Sequence, residues 1–120
     1  MKSFAVILVA LLAPGLLHAG NFPVADLVLI EKGARKLHLL QGGEIFKTFE
    51  IALGIVPVGD KKEEGDFKTP EGRYRLDLRN PNSDFFLSIR ISYPDAVDRR
   101  EAAAAGVDPG GAIMIHGQPN

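Results

Sequence analysis

Phe85-Phe86-Leu87-Ser88-Ile89-Arg90-Ile91-Ser92-Tyr93 decides the fold class. Side chains on a strand point alternately to opposite faces, so Phe85, Leu87, Ile89, Ile91 and Tyr93 share one face. Phe86, Ser88, Arg90 and Ser92 take the other. Just upstream, Tyr74, Leu76 and Leu78 alternate with Arg73, Arg75, Asp77 and Arg79, which predicts a half-buried strand. Asn80-Pro81-Asn82-Ser83 between them predicts a turn. Two alternating strands joined by a turn make this a β protein.

The flanks agree. Lys36 to Leu40, then Gln41-Gly42-Gly43-Glu44, then Ile45 to Leu53 reads as a hairpin, because glycine accepts the positive φ of the tight primed turns. Leu27 to Ile30 precedes it as a short strand ended at Gly33. On the returning strand Ile45, Phe49, Ile51 and Leu53 fall on one face, with Lys47 the odd polar member. Pro57 to Pro70 is rich in Gly, Lys, Glu and Asp and predicts a solvated loop. Beyond Pro94, Asp95 can cap a helix from Ala96 to Ala105, with Asp98 in its first turn and Gly106 as its stop. Asp108-Pro109-Gly110-Gly111 is a turn, and Ala112 to His116 a last strand. There are no internal repeats. The expected fold is mainly β, a β-sandwich or half-open barrel with one short helix.

Composition narrows the function. The 120 residues carry 14 Lys plus Arg against 15 Asp plus Glu, a net charge of -1, which argues against phosphate-driven nucleic-acid binding or a polybasic membrane surface. There is no cysteine, so disulfides, thiolate-held metals and a thiol nucleophile are excluded from these residues. Met1-Lys2-Ser3, the apolar run Phe4 to Leu17 and the small Ala19 follow the order of a secretory signal peptide. Residues 1–19 are therefore expected to be an export signal cleaved after Ala19, with a retained anchor as the alternative. Residues 20–120 form the expected domain, with no further span and a net charge of -2 once Lys2 is removed. Export to the periplasm or cell envelope follows.

His116 is the best single candidate for chemistry. It ends an apolar strand beside Gly117, so its ring sits at a strand edge next to a permissive turn. His38 reads as a polar-face strand residue, and His18 leaves with the signal. One histidine with remote acids does not make a metal site, so no metal or other cofactor is expected. Glu63-Glu64 beside Lys61-Lys62 reads as a solvated charge cluster, and Asp98 with Glu101 as an exposed helix face. Gly110-Gly111 precedes a strand rather than a helix, so it is no phosphate loop. Ser88 and Ser92 share a strand face and could approach His116, but no nucleophile elbow surrounds them.

Four stretches in order resemble the L,D-transpeptidase catalytic domain (YkuD-type) of bacterial cell-wall enzymes. They are the hairpin 27–53 closing on Ala52-Leu53-Gly54, the segment Gly65-Asp66-Phe67-Lys68-Thr69-Pro70-Glu71-Gly72-Arg73-Tyr74, the strand Ser88 to Pro94, and Gly110-Gly111-Ala112-Ile113-Met114-Ile115-His116-Gly117. The resemblance implies a cysteine thiolate that attacks a peptidoglycan stem peptide, an acyl-enzyme, and transfer to an amine. It implies His116 as proton acceptor and donor, with the Gly117 carbonyl as an orienting group. The partner is then peptidoglycan stem peptide, with no nucleic acid and a monomeric state expected. In that family the cysteine follows this histidine in a Ser/Thr-His-Gly-Cys type motif, and the chain ends at Asn120 without one. The expectation is a member cut short of its closing strands and its nucleophile, inactive as it stands. Two other readings stay open: an exported β-rich module that binds a wall polymer without catalysis, and a serine hydrolase using Ser88 or Ser92 with His116.

Overall fold

The computed structural model describes residues 22–120; the expected export signal lies outside them. The protein is mainly β; the described residues form two three-stranded sheets and one helix, with no closed barrel among them. The chain divides into two compact units.

The first unit, residues 22–30 with 36–50, holds most of the sheet β1 (Leu27–Glu31), β2 (Lys36–Gln41) and β3 (Glu44–Glu50). Gly42 and Gly43 take φ of 57° and 85°, the left-handed turn conformation that glycine supplies without steric cost. Asp26 fastens this turn by accepting from the Gly42 N–H at 2.9 Å. Leu37 and Leu40 are its buried residues. His38 sits opposite Thr48 and its Nδ1 lies 2.8 Å from the Thr48 hydroxyl, the polar-face position expected of it.

The expected apolar face of the returning strand is not formed. A bulge shifts the register, so that Leu39 pairs with Lys47 but Leu40 pairs with Ile45. Leu37, opposite Phe49, lies three residues from Leu40, so the two point to opposite faces of β2 and carry Phe49 and Ile45 apart. Ile45 is 53% and Phe49 44% exposed. The strand also ends at Glu50, short of Leu53.

The second unit, residues 31–35 and 51–120, holds the sheet β4 (Leu76–Ser83), β5 (Phe86–Ile91) and β6 (Met114–His116) with the helix α1 (Ala96–Ala105). Both strand pairs are antiparallel. The turn lies at Asp84-Phe85, after the Asn80-to-Ser83 stretch expected to form it. A register shift between Asn80 and Ser83 lets β4 run on, with Ser83 opposite Phe86. Burial along β5 follows neither face. Ser88 is 5% exposed, while Phe86 on its own face is 66% and Leu87 on the other 49% exposed. Leu76 and Leu78 of β4 are exposed rather than half-buried.

The helix follows its sequence signals. Asp95 accepts from the N–H groups of Val97 and Asp98, and the Asp98 carboxylate accepts from the Asp95 N–H, a reciprocal cap. Gly106 ends α1 at φ 72°. Tyr93 is buried and donates its hydroxyl to the Pro109 carbonyl at 2.8 Å. Its ring meets Tyr74 edge-on at 6.0 Å, and the Tyr74 hydroxyl reaches the Asp98 carboxylate at 3.0 Å. Burial, then the nearby charges of Asp98, Asp66 and Asp60, pushes the Tyr93 phenol up to about 12. The two tyrosines thus tie the strand ends to the helix and to the turn before β6.

Candidate active site

His116 lies at the end of β6, directly opposite Ser88 of β5. The next residue is fixed by backbone contacts. The Gly117 N–H is shared between the carbonyls of Phe85 at 3.0 Å and Leu87 at 3.2 Å. A Cβ on Gly117 would stand 3.0 Å from the Phe85 oxygen, so the close approach needs glycine. The Gly117 carbonyl, held this way, lies 2.8 Å from Nδ1 of His116. A carbonyl can only accept, so Nδ1 carries the proton and donates it. In the neutral ring Nε2 is then bare, with its lone pair available. The Phe85 ring packs against the imidazole at a centroid distance of 4.6 Å, tilted by 52°. One edge and one face of the ring are fixed, and the basic nitrogen is left over.

The ring borders a cavity of about 550 Å³. Ser83, Phe85, Ser88 and the segment Ala112 to Met114 line one side; Gly54, Ile55, Lys61, Gly65 and Phe67 to Thr69 line the other. The loop wall is built rather than merely solvated. The Asp66 carboxylate accepts from the N–H groups of Lys62, Glu63 and Lys68 and from the Lys61 ammonium. Burial opposes ionisation of Asp66, but these four donors outweigh it and hold the carboxyl well below the usual carboxylate range. Lys61, expected in solvent, is 6% exposed. Its ammonium also reaches the Glu63 carbonyl at 2.9 Å and stands 6.0 Å over the Tyr93 ring. Glu63 and Glu64 are exposed, as the charge pattern predicts.

Two further ties hold the loop. Val56 donates to the Phe67 carbonyl at 3.0 Å, and a Cβ at Gly54 would stand 2.6 Å from that same oxygen. Lys32 places its ammonium 2.8 Å from the carbonyls of Gly59 and Thr69 and 3.0 Å from Glu71. Of Asp98 and Glu101, expected as an exposed helix face, Glu101 is exposed and takes Lys62 at the surface, whereas Asp98 is half-buried and receives the Tyr74 hydroxyl.

Of the two serines weighed as nucleophiles, Ser88 lines the cavity and shares a strand face with His116. The Ser92 hydroxyl accepts from the Arg75 N–H at 2.8 Å. Phe85 and the Lys61–Asp66 pair were not legible as site residues. Phe85 read as one apolar strand position among five, and Lys61 is indistinguishable in sequence from its solvated neighbour Lys62.

The fold is mainly β, with a strand-edge His-Gly at a cavity that the loop also lines. The profile of the L,D-transpeptidase catalytic domain (YkuD) matches residues 25–120, and the chain belongs to that family. Among curated proteins it is similar to "Putative L,D-transpeptidase YafK" of Escherichia coli strain K12 and to the protein of the same description from strain O157:H7. Each is 31% identical over 99 residues, covering 79% of this chain and 38% of the relative. The chain therefore spans about two fifths of the length of the curated relatives it matches. No solved structure gives a significant match.

Proposed function

We propose that the domain takes part in remodelling peptidoglycan, by acyl transfer on stem peptides outside the cytoplasmic membrane. Family membership supports the reaction class. The observation that carries the residue assignment is the 2.8 Å contact between Nδ1 of His116 and the Gly117 carbonyl. It leaves Nε2 as the nitrogen that takes a proton from a nucleophile and returns it to a leaving group. A thiolate is the nucleophile of the reading, activated by the neighbouring imidazole. The 120 residues contain no cysteine, so this chain supplies the base and the cavity and no thiol. It forms no thioester by itself.

Intact-protein mass spectrometry after incubation with a carbapenem tests the assignment. The 120-residue chain keeps its mass. A form of the protein that carries the family's cysteine motif gains the mass of the opened drug, and His116→Ala slows that gain by about 10²–10⁴-fold, the usual range of general-base assistance. An adduct on the 120-residue chain contradicts the thiol assignment and returns attention to Ser88, which a fluorophosphonate probe then labels. Unchanged acylation in the His116→Ala form contradicts the base assignment.

A further inference from the structure

A second cleft, of about 600 Å³, opens in the second unit, and Arg75, Arg90 and Arg99 all line it. They come from three places: the approach to β4, the strand β5 and the helix α1. Two carboxylates, Asp77 and Asp95, share the lining, and both are engaged. Asp77 takes Arg90 at two points, 2.9 and 3.3 Å. Asp95 caps α1 through the N–H groups of Val97 and Asp98 at 2.8 and 2.9 Å. Arg99 gives its Nε–H to the Pro94 carbonyl at 3.2 Å, which leaves both terminal amino groups. Among the described residues no carboxylate forms an ion pair with Arg75 or Arg99. The cleft thus holds three guanidiniums against two acids, one positive charge in surplus. Arg75 and Arg99 are held by no ion pair, and their planar donor forks match a carboxylate.

Position gives this surplus a use. Ala112 lines the arginine cleft and the His116 cavity alike, so the two are adjoining stretches of one surface. We propose that Arg75 and Arg99 form an anion subsite that takes a side-chain or terminal carboxylate of an extended peptide whose reacting carbonyl lies at His116. The peptide part rests on the proposed function; the carboxylate part rests on the cleft alone.

The test uses the ¹⁵N-labelled 120-residue chain and two tetrapeptide amides, one carrying a glutamate and the other a glutamine in its place. The glutamate peptide shifts the amides of Ser92, Ala96 and Ala112 and binds about three- to tenfold more tightly, as expected for a partly exposed charge-assisted pair. The difference disappears in Arg75→Gln/Arg99→Gln, whose amide spectrum away from the cleft is unchanged. It survives in His116→Gln. Equal affinities in the unaltered chain, or a preference that persists in the double variant, overturn the subsite. Free glutarate separates the two layers. If it shifts Ser92 and Ala96 while neither peptide binds, the subsite stands and the peptide reading falls; if it leaves those amides unmoved, the subsite falls.

Discussion

Gly117 carries two duties at one backbone position: its N–H closes onto the Phe85 and Leu87 carbonyls, and its own carbonyl fixes the His116 ring. Gly117→Ala brings a methyl to 3.0 Å from the Phe85 oxygen, so the β5–β6 end must open. Urea unfolding is expected to show a loss of about 1–3 kcal/mol, the usual cost of forcing atoms into a packed contact. Asp66 gives a pH-dependent counterpart. Its carboxyl is held below the ordinary 3.8, so its contribution is complete above that value and is lost as pH falls through 3.8 toward the folded-state value. Asp66→Asn should cost about 1–3 kcal/mol at neutral pH, the range for breaking a buried charge-assisted bond, and should flatten the acid limb of the stability curve. Equilibrium unfolding at a series of pH values reads both; an unchanged acid limb contradicts the role given to Asp66.

The loop of residues 51–75 has no helix or strand, yet it makes one wall of the cavity and is fastened like an element. Lys32 is its outermost clamp, through two carbonyls and one carboxylate. Lys32→Met is expected to speed amide exchange across residues 57–71 by about tenfold or more, the equivalent of one to two lost hydrogen bonds, with β4 and β5 little changed. Uniform exchange rates in the variant would argue that the loop holds itself. The helix and the Gly42-Gly43 hairpin were legible because caps and turn glycines act locally. The Asp84-Phe85 turn was not, because a bulge absorbed the Pro81 stretch into β4. Nor was the burial of β5. Alternation separates two faces but does not say how each is covered, and here Ser88 is buried at the cavity while Phe86 on its own face and Leu87 on the other are both exposed.

For the whole molecule, a net charge of -1 hides local order: acids gather on the lysines of the 60–71 loop while arginines collect around the second cleft. Sequence carried the class well, since the four stretches that suggested the family all lie within the residues its profile matches. The place of His116 at the end of a strand, beside Gly117, was legible. The aromatic face that seats it, and the loop opposite, depend on residues 30 to 60 positions away in the chain, which periodicity does not reach. In the neutral ring His116 presents a bare Nε2 because Nδ1–H is committed to the Gly117 carbonyl. A long-range ¹H–¹⁵N correlation spectrum of the imidazole in the neutral protein measures this directly. The Nδ1–H tautomer is expected for His116; a ring protonated on Nε2, with Nδ1 bare, would contradict this arrangement.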